Sequence, residues 1–99
     1  MVSGDSTISN DDELLNTQLD GRYRINRCVG SGGMGRVYEA THIVKERTVA
    51  IKILTQLDAT AIKRFERECR ALSAVKHPAI PQLYGWGITP SGSPYMAME

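Results

Sequence analysis

Glycine is concentrated in one short stretch of the chain, Val29 to Ala40, which reads VGSGGMGRVYEA. Gly30, Gly32 and Gly35 give the spacing G-x-G-x-x-G, with which a loop can bind phosphate groups through its backbone amides. Ordered glycine costs conformational entropy, so this cluster indicates either a backbone requirement or a ligand. Taken alone, the glycines leave a ligand-free hairpin open as an alternative.

Three kinds of phosphate-binding loop share glycines at this spacing. A dinucleotide-binding fold needs a helix directly after the loop, but here RVYEA has strand character and the long helix begins only at Asp58. A P-loop needs lysine and a hydroxyl residue after its last glycine, where this chain has Arg36 and Val37. The third kind is a flap between two strands with the form G-x-G-x-x-G-x-V. The segment from Gly30 to Val37 matches that form at every fixed position.

A lysine and a glutamate stand where the predicted elements can bring them to this loop. Lys52 interrupts the apolar strand TVAIKIL, and Glu68 projects from within the apolar stripe of the predicted helix. Taken singly, a solvent-exposed lysine on a strand and a helix-flank glutamate are both ordinary. Together, each would offset the other's cost of burial, and the pair would aim the amine at phosphate oxygens.

The pattern around these residues predicts an α+β fold, in which one long helix packs on a five-stranded, antiparallel, twisted sheet. The predicted strands are YRINRCV, RVYEATH, TVAIKIL, PQLYGWGIT and SPYMAME. The predicted helix runs from Asp58 to Lys76, with Asp58 or Thr60 as its cap and Pro78 beyond its end. Its apolar stripe consists of Ala61, Ile62, Phe65, Cys69, Leu72 and Val75. Residues 1–18 are predicted to be a disordered N-terminal tail, and residues 19–99 the folded lobe.

Composition excludes several classes of function. The formal net charge of the 99 residues is +1, which gives no electrostatic case for binding nucleic acid. The apolar stretches are far shorter than the roughly 20 residues that span a bilayer, and the N-terminus lacks the blocks of a secretory signal. Cys28 and Cys69 have neither metal-ligand nor disulfide-framework spacing, so no metal site is predicted. We therefore expect a cytoplasmic location.

With the glycine loop, Lys52 and Glu68 together, the chain resembles the N-terminal, ATP-binding lobe of a eukaryotic-type protein kinase. The stretch GSGGMGRVYEA is similar to the glycine loop of bacterial Ser/Thr kinases of that type. The resemblance implies two catalytic residues, Lys52 on the α- and β-phosphates of ATP and Glu68 as its partner on the helix. It also implies that the nucleotide is bound by Val29, Gly30, Ser31, Gly32, Gly33, Met34, Gly35, Val37, Ala50, Lys52, Met98 and Glu99.

The same resemblance implies transfer of the γ-phosphoryl group from MgATP to Ser or Thr hydroxyls of a protein substrate. The sequence contains neither H-R-D-x-x-x-x-N nor D-F-G, the motifs that supply the catalytic base and the magnesium ligands. We therefore expect a chain truncated at Glu99, inactive alone, whose parent enzyme binds its protein substrate through the C-terminal lobe. The alternative is a non-catalytic regulatory or pseudokinase module that docks on other proteins. The sequence after Glu99 would discriminate between the two.

Overall fold

The computed structural model describes residues 14–33 and 35–99, and within them the chain forms six strands and one long helix. Every neighbouring pair of strands is antiparallel, and the order across the sheet is β1-β2-β3-β4-β6-β5. This confirms the predicted α+β class. The elements are β1 (Gln18–Leu19), β2 (Tyr23–Ser31), β3 (Gly35–His42), β4 (Arg47–Leu54), α1 (Ala59–Ala74), β5 (Leu83–Ile88) and β6 (Pro94–Met98).

The strand count differs from the prediction because of β1, a two-residue strand that pairs with the start of β2. Leu19 of β1 is buried, and Leu14 and Leu15 pack against the same core cluster. Residues 14–18 of the predicted tail therefore lie against the sheet. Residues 1–13 of that tail fall outside the described residues. So short a strand has too few residues to show an alternating pattern, which is why the sequence did not predict it.

The main core lies on one face of the sheet. β4 shows the alternation, since Val49, Ile51 and Ile53 are all buried on this face. Tyr23 of β2 and Tyr95 of β6 meet edge to face with ring centroids 6.3 Å apart, although β3 and β4 lie between their strands. The sheet is therefore curled around this cluster. Its buried members are Leu19, Tyr23, Ile25, Tyr38, Ala40, Val49, Ile51, Ile53, Tyr95 and Ala97.

The helix α1 covers part of the opposite face. Ala61, Phe65 and Cys69, spaced four residues apart, form one side of the helix and are buried against Leu54 and Met96. Ile62 and Leu72 are partly buried beside them, as the predicted stripe requires. Burial of a side chain such as Phe65 contributes about 2 kcal/mol, so this small cluster is what holds α1 on the sheet.

The ends of α1 follow from its flanking residues. Asp58 is the N-cap, and its carboxylate accepts a hydrogen bond of 2.8 Å from the amide of Ala61. The helix ends at Ala74, two residues before the predicted end at Lys76, because Val75 already has extended backbone. Val75 was predicted to belong to the apolar stripe but is 43% exposed, since it lies beyond the last helical turn.

The cap makes the start of α1 sensitive to pH. The hydrogen bond from Ala61, followed by that from the side chain of Gln56, lowers the pKa of Asp58 below its usual value. A carboxyl group whose pKa is lowered in the folded state stabilises the fold above its unfolded pKa. That contribution is lost as the pH falls through the folded pKa. We expect acidification over this range to lower the thermal midpoint of the native chain more than that of Asp58→Asn, since asparagine caps without titrating. Equal slopes of midpoint against pH for the two proteins would contradict this role.

Candidate nucleotide-binding site

Strand register places most of the predicted site residues on one face of the sheet. Val37 lies opposite Lys52, and Lys52 lies opposite Met96. In the next row, Ala50 lies opposite Met98. Directly opposed residues share a face, and so do residues two apart on one strand. Val37, Ala50, Lys52 and Met98, which come from three strands, therefore face the same way.

This is also the face on which α1 packs. Leu54 lies two residues after Lys52 on β4, and Met96 lies opposite Lys52 on β6. Both Leu54 and Met96 belong to the cluster beneath the helix. Glu68 is three residues from the buried Phe65, which places it about 60° around the helix. The helix therefore carries Glu68 along its edge, beside Lys52, rather than towards bulk solvent on its outer side.

Lys52 and Glu68 are in contact, with 3.4 Å between Nζ and Oε1. The predicted meeting of the two side chains is therefore present. The prediction that Glu68 belongs to a buried stripe is wrong, because its side chain is 46% exposed and that of Lys52 is 37% exposed. The reason is that Glu68 stands at the helix edge, where the face of the sheet is open. A long, half-exposed ion pair contributes little to stability, so it holds the two groups together only loosely.

The glycine loop joins β2 to β3, and its hairpin is closed by a hydrogen bond of 2.9 Å from the amide of Gly32 to the carbonyl of Gly35. The packing of the loop against β4 requires glycine at position 35. A Cβ at this position would lie 2.3 Å from the carbonyl oxygen of Ile53 in β4. The third glycine of the motif therefore allows the loop to pass close against the neighbouring strand.

The other described glycines of the loop have no such constraint. A Cβ at Gly30, Gly32 or Gly33 would meet no atom within 4 Å, and none of the three has positive φ. Neither steric contact nor backbone conformation in the protein requires glycine there. Because these residues have no side chains, the space around the backbone of the loop is open. Met34, also predicted to bind the nucleotide, lies outside the described residues.

Strand register does not place Val29 or Ser31 on the same face as Lys52. A register shift between Cys28 and Gly30 leaves Val29 in a β-bulge, where it is 50% exposed. Ser31 lies opposite Arg36, which in turn lies opposite Ile53 on the core face. The side chain of Ser31 is thus in a row on the other side of the sheet from Lys52. It would meet a ligand on the Lys52 side through its backbone.

Glu99 is held at the point where the chain leaves the sheet. Its amide donates a hydrogen bond of 2.9 Å to the carbonyl of Gln82, and its carboxylate lies 3.3 Å from Nη2 of Arg47. Neither Arg47 nor Gln82 was predicted to lie near the site. Pairing of Ala50 in β4 with Met98 at the end of β6 could have indicated that Arg47 lies near Glu99, but nothing in the type of either Arg47 or Gln82 marks it.

Among the described residues near the site there is neither a reactive thiol at Cys69 nor a metal-binding cluster. Burial, with the carboxylate of Glu68 as the second cause, raises the pKa of the Cys69 thiol. Cys69 is therefore a protonated, apolar contact of the helix rather than a nucleophile. In the part of the chain that the structure describes, no group of three or more His, Cys, Asp or Glu side chains could hold a metal ion. None of its helices is long and apolar enough to cross a membrane.

A known protein family matches most of the chain. The model of the protein kinase domain matches residues 23–99 of the chain. The chain belongs to the protein kinase family. The match confirms the resemblance drawn from the glycine loop, Lys52 and Glu68, and it begins at the first residue of β2.

Bacterial relatives are similar over most of this kinase lobe. The serine/threonine-protein kinase pkn2 of Myxococcus xanthus is 47% identical over 72 residues, which are 70% of the chain and 9% of the relative. The serine/threonine-protein kinase PrkC of Bacillus subtilis is 43% identical over 77 residues, 75% of the chain and 12% of the relative. PknH of Mycobacterium tuberculosis, also a serine/threonine-protein kinase, is 40% identical over 70 residues, 68% of the chain and 11% of the relative. The chain thus matches only a small part of each relative's length.

Two substitutions in the loop separate the glycine that the fold needs from one that it does not. We expect Gly35→Ala to destabilise the chain by about 2–3 kcal/mol, because the new methyl group would overlap a backbone carbonyl that cannot move aside. Gly33→Ala, into open space, should change stability by no more than about 0.5 kcal/mol. Urea unfolding of the 99-residue chain and both variants measures the difference. Equal stability of the two variants would show that the loop does not rest on β4 as described.

Proposed function

We propose that this chain is the ATP-binding lobe of a serine/threonine-protein kinase. The parent enzyme would transfer the γ-phosphoryl group of MgATP to Ser or Thr hydroxyls of a protein substrate. The observation that carries the proposal is the contact of Lys52 with Glu68 on the same face as Val37, Ala50 and Met98. The names of the relatives, all serine/threonine-protein kinases, support the choice of hydroxyl.

The residues on this face fit the two ends of ATP. The polar end, with several negative charges, would lie under the loop backbone at Gly30, Gly32 and Gly33, where no side chain obstructs approach. The adenine ring would lie against apolar side chains, for which Val29, Val37, Ala50 and Met98 are available. The half-exposed Val29 is accounted for if the nucleotide covers it.

Lys52 and Glu68 have separate roles in this proposal. Lys52 supplies the positive charge for the phosphate oxygens, and Glu68 draws the amine towards the helix side of the face, which limits the directions the lysine can take. Bound ATP supplies the phosphoryl group. Magnesium ligands and a catalytic base would come from the C-terminal lobe of a kinase domain.

The boundaries and surroundings of the lobe are part of the proposal. We place the lobe at residues 19–99, with the described residues 14–18 packed on it and the remainder of the N-terminal segment as a tail. The protein substrate would bind to the C-terminal lobe. We propose a cytoplasmic site of action, where ATP is available, and no role for nucleic acid.

Substitution of Lys52 tests the proposed function most directly. In a kinase domain that carries this chain as its ATP-binding lobe, Lys52→Met should lower kcat/KM for ATP by about 100-fold or more, because methionine keeps the apolar stem but removes the charge. The fold should persist, since Lys52 is partly exposed and its ion pair is weak. Steady-state phosphorylation at varied ATP, with thermal unfolding of each protein, gives both quantities.

Lys63→Met is the matched control, because Lys63 is an exposed lysine on α1 and lies about 160° around the helix from the buried Phe65. It should leave kcat/KM within about twofold of the native value. Near-native activity of Lys52→Met would refute the role proposed for Lys52. A native domain that transfers no phosphoryl group would instead favour a non-catalytic module.

The 99-residue chain alone should bind ATP weakly. The described residues provide one side of the adenine site and no metal cluster, so we expect a dissociation constant of about 1 mM or weaker, equivalent to roughly 4 kcal/mol. Titration of the chain with MgATP, followed by amide chemical shifts, measures this affinity and should show shifts concentrated between Gly30 and Val37. Micromolar affinity would show that the lobe alone holds most of the binding energy.

A further inference from the structure

The chain leaves the sheet at Glu99, and this residue is held from two sides. On the β5 side, the carbonyl of Gln82 accepts a hydrogen bond from the backbone amide of Glu99. On the β4 side, the guanidinium of Arg47 lies 3.3 Å from the carboxylate of Glu99. β6 ends one residue earlier, at Met98, so these two contacts act on the first residue beyond the ladder.

Arg47 is itself held in place by an aromatic ring. Its guanidinium lies over the ring of Tyr84 in β5, 5.8 Å from the centroid. His42, its partner across the β3–β4 hairpin, meets the same ring edge to face at 6.3 Å. An arginine that is already held against a ring loses less freedom when it also binds a carboxylate. The contact with Tyr84 therefore favours the ion pair of Arg47 with Glu99.

We propose that Arg47 is a positioning residue for the adenine end of ATP, acting through Glu99. The inference rests on the proposed function. Met98 lies opposite Ala50 on the nucleotide face, so the backbone that follows Met98 borders the space assigned to adenine. The ion pair with Arg47, called the clamp below, restrains the direction in which this backbone continues. Arg47 itself lies outside the row of residues that would contact the nucleotide.

The solvent exposure of Arg47 and Glu99 sets how much the loss of their ion pair should affect ATP binding. The side chains of Arg47 and Glu99 are each 53% exposed, so solvent screens their attraction, and the pair is a modest restraint. Loss of Arg47 should therefore raise KM for ATP by about two- to fivefold. It should leave kcat unchanged, because the groups assigned to the phosphates, Lys52 and the loop amides, are not in contact with Arg47.

Lys45 provides a matched control. Its ammonium group lies 5.7 Å from the centroid of the same Tyr84 ring, but the structure gives it no contact with Glu99. Arg47→Met and Lys45→Met each remove one cation from Tyr84, and only the first removes the clamp. In a kinase domain that carries this chain, KM for ATP should rise in Arg47→Met and stay at the native value in Lys45→Met.

A charge exchange completes the test. Arg47→Glu should raise KM for ATP at least as much as Arg47→Met, and the double variant Arg47→Glu/Glu99→Arg should restore it towards the native value. Equal KM in Arg47→Met and Lys45→Met, or no rescue by the double variant, would overturn the inference while native activity and its loss in Lys52→Met still upheld the proposed function. A native domain without phosphoryl transfer would instead refute the proposed function, and this inference with it.

Discussion

The register of β4 between β3 and β6 is the constraint on which the candidate site depends. Side chains alternate along a strand, so a shift of one residue would turn Lys52 into the curled core and turn Ile51 and Ile53 out of it. The core prevents this, because both isoleucines are buried and the space they fill cannot accept an ammonium group without a partner. The position of one lysine is thus fixed by the apolar residues on either side of it in the chain.

The same register also fixes the helix. Leu54, on the Lys52 side of β4, forms with Met96 the surface on which α1 packs through Ala61, Phe65 and Cys69. Only residues 55–58 separate the end of β4 from the first residue of α1. A short connection and a small apolar contact together decide where the edge of the helix lies, and Glu68 stands on that edge. The ion pair is a consequence of packing, since at 3.4 Å and with both groups partly exposed it is too weak to place the helix.

Much of this could be predicted from sequence, because the signals are local. Alternation in TVAIKIL and the helical stripe from Ala61 to Val75 each arise within one element, and both predictions agree with the structure except at Val75, which lies beyond the end of the helix. The errors concern how elements meet. The prediction that Glu68 is buried was wrong, because an apolar stripe shows which side of a helix faces the sheet. It does not show how far the sheet extends beneath the edge of the helix. β1 and the clamp of Arg47 on Glu99 depend on contacts between distant segments, which no local pattern encodes.

The glycines of the loop form one sequence motif, but the structure gives them different explanations. Gly35 has a sufficient explanation within the protein, since β4 leaves no room for a side chain there. Gly30, Gly32 and Gly33 have none, because their surroundings are open and their backbone does not need positive φ. Each still costs conformational entropy relative to alanine. The proposed nucleotide would account for this cost. In that proposal, phosphate groups approach the loop backbone from the open side of these three residues and meet Lys52 from the sheet.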